Sequence, residues 1–333
     1  MIPYGKHDLH PADREALLEV LDTGWLTGGP TVAAFEADLA KVCGAPEVVC
    51  TSSGTTALHL VAESLGAPPG AWWICPSSTF VATVQAGVYA GYRPVFADVD
   101  PLTGLICCES VAQLLEAARD HQAVIAAVVA VDLNGHSAPI QDLADLLDLY
   151  AVPLIRDAAH SLGGVDSDGQ NVGACERVLA TMFSFHPVKL IAAAEGGAVA
   201  SHDLELLAQI RHLRSHAMTR APGSPSDYSV DAVGYNYRLS DLHAALGRSQ
   251  LARIDEKLAL RRGLAAAYQE QLDGVTGLRL VRPPKGSQSA WHLVSILVAS
   301  ERRWPLISSL REAGIGVAHH YPAAHLKSMA SGA

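Results

Sequence analysis

At 333 residues, the chain exceeds one ordinary domain and accommodates a large α/β domain with a smaller one attached. Its residues are 49% hydrophobic and 17% charged, which excludes an intrinsically disordered chain and allows a sizeable core. A formal net charge of −10 argues against a nucleic-acid-binding body, while leaving room for a local basic pocket that takes phosphates.

In chain order, residues 11–22 and 31–43 have helical spacing and flank a glycine-rich turn at Gly28-Gly29-Pro30. A strand at 48–51 then meets Ser-Ser-Gly-Thr-Thr and a helix at 57–65. Strands at 72–75 and 94–97 follow, and 123–132 is an apolar run suited to a strand buried on both faces. A helix at 140–150 leads to a strand at 152–157, and another strand is expected at 180–185. This alternation predicts an α/β fold with a mostly parallel central sheet. Helices are expected at 203–215 and 241–270, before a smaller α+β unit with antiparallel strands at 278–281 and 292–299. The expected division is a large domain over 1–270, including an N-terminal helical arm, and a small domain over 271–333.

The six cysteines (Cys43, Cys50, Cys75, Cys107, Cys108, Cys175) show no CxxC spacing and read as buried free thiols of a reducing compartment. The N-terminus has no apolar signal core, and no run of about 18 apolar residues occurs, so a cytoplasmic protein without a membrane partner is expected. His212 and His216 have HxxxH spacing that would share a helix face. With no HExxH motif and no third ligand evident nearby, a solvated face is the better reading and no metal is expected.

Lys189 alone among six lysines sits in an apolar frame, FSFHPVKLIAAAEGG, where desolvation would lower its pKa. A lysine stem lying along apolar surface is the plainer alternative. Asp157 ends a buried strand, at the edge where α/β sheets hold ligands; it also suits a helix N-cap before Ala158. His160 could pack near a bound ring or orient Asp157, or serve structure alone. Ser53, Gly54 and Thr55 lie at a strand-to-helix junction that would form an anion site, though the same residues make ordinary caps. Ser184 could add a hydroxyl, and Phe80 could stack on a ring or simply fill core. Residues 234–240 (GYNYRLS) concentrate polar and aromatic groups before a helix, either as a site or interface or as a helix start capped by Ser240. Together these supply what a pyridoxal phosphate site requires: an imine-forming lysine, an acid for the ring nitrogen, a phosphate cradle and a flat group on the ring.

The segments Ile2-Pro3-Tyr4-Gly5, Trp25–Pro30, Ser53–Leu58, Asp157–His160, Ser184–Lys189, Glu195–Gly197, Gly234–Ser240 and Trp291-His292, in this order, resemble the DegT/DnrJ/EryC1/StrS family of sugar aminotransferases over nearly the full chain. The resemblance implies a fold type I pyridoxal-phosphate enzyme in which Lys189 carries the cofactor and shuttles a proton. Asp157 would pair with the ring nitrogen, and Phe80 would stack on the ring. Gly54, Thr55 and Ser184 would bind the phosphate, and Asn236 would reach the phosphate of a neighbouring subunit in a homodimer. Relatives with histidine in place of the lysine perform dehydration, so Lys189 marks an aminotransferase.

SFHPVK, LRSH, SAWHL and AGIGV before His320-Tyr321-Pro322 are similar to the branch that aminates a UDP-linked 4-keto-6-deoxy-N-acetylhexosamine, a pseudaminic acid precursor, with L-glutamate as donor. By that likeness Tyr4, Leu26, Thr27, Gly28, Gly29 and Tyr321 would contact the nucleotide sugar. Another keto sugar, or a divergent non-catalytic cofactor-binding protein, is the alternative. Two departures stand out. Ala192-Ala193-Ala194 replace the branch's Thr-Thr-Gly, and the small domain is shorter than the family's, as if truncated.

Overall fold

The computed structural model describes residues 1–220 and 227–327. Helices α1 (Pro11–Thr23) and α2 (Pro30–Cys43) each open on proline and close on a left-handed glycine, Gly24 or Gly44. β1 (Glu47–Thr51) leads into α3 (Gly54–Ser64), β2 (Trp72–Pro76) into α4 (Val81–Tyr89), and β3 (Arg93–Ala97) into α5 (Cys108–Asp120). Next come β4 (Ile125–Val131), α6 (Ile140–Asp148), β5 (Leu154–Asp157), β6 (Ala180–Ser184) and β7 (Gly197–Ser201). Helix α7 (Leu204–Leu213), the antiparallel pair β8 (Met218–Arg220) and β9 (Tyr228–Val230), and helices α8 (Asp241–Leu251) and α9 (Ile254–Leu272) follow. The last described elements are β10 (Leu278–Leu280), β11 (Ile296–Val298), α10 (Ser300–Glu312) and α11 (Ala324–Lys327).

One seven-stranded sheet has the order β1-β7-β6-β5-β4-β2-β3. Only β7 runs against its neighbours, so every other strand presents its carboxyl end along the same edge. The central strands are covered on both faces. Val129 packs in a cluster with Leu58 of α3 and Ile210 of α7, while Val128 packs with Leu115 of α5 and Leu143 of α6. This double burial explains why the β4 sequence is continuously apolar rather than alternating. A third cluster joins Phe35 and Leu39 of α2 to Phe183 of β6 and Leu258 of α9.

Several expectations change. The segment 241–270 is not one helix: Ala252 and Arg253 separate α8 from α9. Helix α7 stops at Leu213, and His216 lies beyond it with φ +67°, so His212 and His216 share no helix face. His212 Nε2 instead meets Asp231 Oδ1 at 2.6 Å. The second strand of the small unit shortens to Ile296–Val298, antiparallel to Leu278–Leu280. β7, β8, β9, α5 and α10 were not anticipated; Pro305 inside α10 masks that helix, and β7 is a short run of small residues without a strand signature. The cysteines carry free thiols; Cys43, Cys50, Cys75 and Cys175 are buried as expected, whereas Cys107 and Cys108, at the start of α5, are only partly buried. Among the described residues no helix is long and apolar enough to cross a membrane. The end of the small domain expected over 271–333, residues 328–333, lies outside the described residues.

The N-terminal arm is tied to the small unit. Ile2 N–H donates to Gly314 O, and Gly316 N–H donates to Ile2 O, both at 2.7 Å. This pairing carries Tyr4 to His320 and sets Gly5 against Val188, next to Lys189.

Candidate active site

Loops following β1, β2, β5 and β6 lie at the carboxyl edge of the sheet, the edge at which α/β sheets hold ligands. Lys189 follows β6 in a turn closed by its own N–H donating to His186 O at 2.8 Å. Burial pushes its amine down from the usual 10.5 to about 8, against the opposing pull of the Asp157 carboxylate. An amine in that range is partly neutral near physiological pH, as attack on a carbonyl requires. The lysine therefore does more than lie along an apolar surface.

Asp157 ends β5 and is buried. Its Oδ2 accepts from Thr83 Oγ1 at 2.7 Å, and its Oδ1 accepts from Ala159 N at 3.2 Å. Turns, not a helix, follow it, so it caps no helix. Burial pushes its pKa up, partly offset by these bonds and by Lys189. A cation at this carboxylate would hold it ionised.

His160 lies under Tyr321, whose hydroxyl is 3.3 Å from His160 Nε2, and packs on His292 with ring centroids 4.2 Å apart. Burial pushes both imidazoles well below their usual pKa, and the neighbouring Lys189 charge adds to this. Nδ1 of His160 and Nδ1 of His292 are buried without a protein partner. Phe80, at the N-cap of α4, is 54% exposed, with its ring 5.8 Å from that of Tyr321. It is thus not core filling, and it borders the same space. Tyr4 joins through its hydroxyl, 2.6 Å from His320 Nε2, with the rings stacked at 5.2 Å.

The anion cradle sits at the start of α3. Ser53 Oγ accepts from Thr56 N at 3.1 Å, and Thr56 Oγ1 accepts from Ser53 N at 3.0 Å, a capping box that occupies the Ser53 hydroxyl. Ser53 therefore shapes the helix start, and the N–H groups of Gly54 and Thr55, in the first turn, have no intrahelical acceptor and suit an anion. A Cβ on Gly54 would lie 3.2 Å from Ser184 Oγ, which places that hydroxyl at the same spot. Gly197 pairs with Thr51 on one side and Ser184 on the other, where a Cβ would meet Ser53 backbone carbon and oxygen at 2.4 Å. Neither backbone can yield. Gly197→Ala is expected to destabilise the fold by about 3 kcal/mol and to open the cradle; thermal unfolding and phosphate-ester binding check this.

The remaining predicted residues are mostly exposed. Leu26 is 48% exposed, and Thr27 and Gly28 are also exposed. Their turn is fastened to α8: Asp241 N–H donates to Leu26 O at 3.0 Å, and the Asp241 carboxylate accepts from Gly29 N at 2.8 Å and Thr31 N at 3.0 Å. Asn236 is exposed, beside Tyr237 whose carbonyl accepts from Ser52 N at 2.8 Å. Ser240 does cap α8, accepting from His243 N at 3.2 Å. Sequence reasoning missed Thr83, Asp241, His292 as a packing partner, and the buried pairing of Arg156 behind Asp157. Only the last had a visible signal, since an arginine inside a buried strand demands carboxylate partners.

A lysine whose buried amine is pushed down to about 8, a buried carboxylate that acts on it and a helix N-terminus suited to an anion are the groups that carbonyl chemistry on a phosphate-bearing compound requires. The chain belongs to the DegT/DnrJ/EryC1/StrS aminotransferase family, whose model matches residues 7–332. It is 35% identical over 324 residues to the UDP-4-amino-4,6-dideoxy-N-acetyl-beta-L-altrosamine transaminase of Campylobacter jejuni, covering 96% of this chain and 84% of the relative. The solved structure of Helicobacter pylori PseC, an aminotransferase involved in the biosynthesis of pseudoaminic acid, superposes with a TM-score of 0.92 at 28% identity, covering 99% of this chain and 87% of that one. Spr1654 of Streptococcus pneumoniae in its PLP form gives a TM-score of 0.89 at 25% identity, covering 99% of this chain and 87% of that one.

The residues present fit pyridoxal phosphate. The depressed Lys189 amine suits its aldehyde, and the buried Asp157, whose pKa burial pushes up, suits a protonated ring nitrogen. The glycine-lined cradle at Gly54 and Gly197 admits a phosphate, and the orphaned Nδ1 of His160 awaits a polar partner.

Proposed function

We propose that this sugar aminotransferase uses pyridoxal phosphate to move the amino group of L-glutamate to C4 of a UDP-linked 4-keto-6-deoxy-N-acetylhexosamine, in pseudaminic acid-type nucleotide sugar biosynthesis. The observation that carries the catalytic half is the pairing of a depressed Lys189 with buried Asp157 at the sheet edge. Likeness to the Campylobacter jejuni transaminase supports the sugar.

When bound, pyridoxal phosphate supplies an electron sink that lets the proton on the amine-bearing carbon be removed. Lys189 Nζ takes that proton from the glutamate α-carbon and, in the second half-reaction, moves a proton onto the sugar C4. Asp157 holds the ring nitrogen protonated. Gly54, Thr55 and Ser184 bind the phosphate, while Ser53 fixes their turn. Phe80 and His160 confine the ring. Tyr4, bonded to His320, and Tyr321, bonded to His160, form the wall on which the sugar would rest. Leu26, Thr27, Gly28 and Gly29 form the exposed turn held by Asp241, which suits contact with the nucleotide.

Exposed Asn236 and the exposed apolar residues Val81, Val88 and Tyr89 of α4 support a homodimer in which Asn236 reaches the partner's phosphate. Purified protein loaded with the cofactor should show a visible band that L-glutamate bleaches, with release of 2-oxoglutarate. Competing nucleotide keto sugars in the same coupled assay identify the acceptor. A band indifferent to glutamate in the folded protein rejects the proposed donor chemistry.

A further inference from the structure

The turn bearing Asp157 and His160 is gripped at both ends by one residue, Asp132, just past β4. Its N–H donates to Asp157 O at 3.0 Å, and its Oδ2 accepts from the Ser161 hydroxyl at 2.5 Å. The same Oδ2 accepts from Arg156 Nε at 2.8 Å, and Oδ1 accepts from Ala138 N at 2.9 Å. Arg156 in turn forms a two-pronged pair with Asp166, both bonds at 2.7 Å, and donates to Ser137 Oγ at 3.0 Å. Asp132 is 0% exposed, Arg156 and Ser161 are 1% exposed, and Asp166 is 3% exposed.

Two carboxylates and one guanidinium taken wholly out of water are an expensive core. Apolar side chains of similar volume would stabilise the fold as well or better. What such a core would lose is direction. Asp132 fixes the carbonyl of the residue that starts the turn and the hydroxyl of the residue that ends it, so Asp157 and His160 between them have little freedom. Arg156 holds Asp132 Oδ2 in place through Nε, and Asp166 occupies the rest of the guanidinium.

We propose that Asp132 and Ser161 are positioning residues that act through Asp157 and His160 on the ring of pyridoxal phosphate, with Arg156 and Asp166 holding Asp132 in place. The inference rests on the reading that Asp157 and His160 face that ring. Ser161→Ala cuts the grip and leaves the charged groups paired. Asp132→Asn is the second probe, since it leaves Arg156 and Asp166 as a matched pair.

Two quantities are measured: the dissociation constant of pyridoxal phosphate, and the pH midpoint of the bound cofactor's visible absorbance. In both variants the affinity should weaken about tenfold, and the midpoint should move toward that of Asp157→Asn. Ser137→Ala also loses bonds to Arg156 and Asp166, but Ser137 makes no bond to the turn, so both quantities should stay at their wild-type values. Wild-type values in Ser161→Ala and Asp132→Asn, or an equal loss in Ser137→Ala, overturn the proposal. If Asp157→Asn shifts the midpoint while the other two variants do not, only the positioning role fails. If Asp157→Asn shifts nothing, the ring-facing reading fails as well.

Discussion

Lys189→Ala should abolish steady-state release of 2-oxoglutarate, lowering kcat by on the order of 10⁴ or more, because it removes both the covalent anchor and the proton carrier. Lys189→Arg should be equally inactive, since a guanidinium stays protonated and cannot supply a neutral amine. The fold itself should not suffer. In cofactor-free protein the Lys189 pKa lies near 8 rather than 10.5. Between those values the unfolded chain binds a proton that the folded chain has released, so stability rises with pH across that window. Lys189→Met removes the buried ammonium, so its cofactor-free form should be the more stable at neutral pH and should lack that rise. Thermal unfolding as a function of pH measures both effects. A Lys189→Ala protein that turns over at the normal rate would falsify the catalytic assignment.

Asp157→Asn should lower kcat/KM by about 10²–10³, the scale seen when one preorganised electrostatic group is removed from a reacting centre. Thr83 Oγ1 and Ala159 N can both still pair with the amide, so geometry is retained and the loss reports charge. The stability effect has the opposite sign to that of the activity. Burial raises the Asp157 pKa in the cofactor-free fold. Between its ordinary and raised values the folded chain keeps a proton that the unfolded chain has lost, so stability falls as pH rises through that window. Asp157→Asn should abolish this fall and unfold at a higher temperature than the parent at neutral pH without cofactor. With cofactor present the order should reverse, because only the carboxylate gains a cation at the ring nitrogen. Paired melting curves with and without pyridoxal phosphate test the reversal.

These two residues were legible in the sequence because each broke its surroundings: a lysine in an apolar loop, and a carboxylate at the end of a buried strand. Ser53 was legible as part of a phosphate motif, but its hydroxyl proves to be spent on the capping box with Thr56. A Ser-x-x-Thr pattern could have signalled that. Thr83 was invisible, since a threonine inside an apolar helix looks like any other until the helix packs beside β5. Asp241 was invisible for a similar reason, because its partners Gly29 and Thr31 are more than two hundred positions away. The helix at 241–270 was read as continuous since periodicity alone registers neither the kink at Ala252 and Arg253 nor the change of packing partner there.

By itself the sequence determined the α/β class and the run of strands, and it singled out Lys189 as the candidate for the cofactor lysine. Those properties follow from local pattern: burial on both faces makes a strand uniformly apolar, and a lone ionisable group in such a frame is conspicuous. Tertiary structure decided the rest. It inserted β7 in reverse between β1 and β6, which brings Gly197 against Ser53 and sets Ser184 beside Gly54. It carried Tyr4 and Tyr321 from opposite ends of the chain to the walls of one site, and it placed Asp132 across the turn from Asp157 to Ser161. Such contacts join residues far apart in the chain. Their energy depends on distance and desolvation, which no periodicity encodes. Sequence pattern singles out Lys189; only the fold shows which residues surround it.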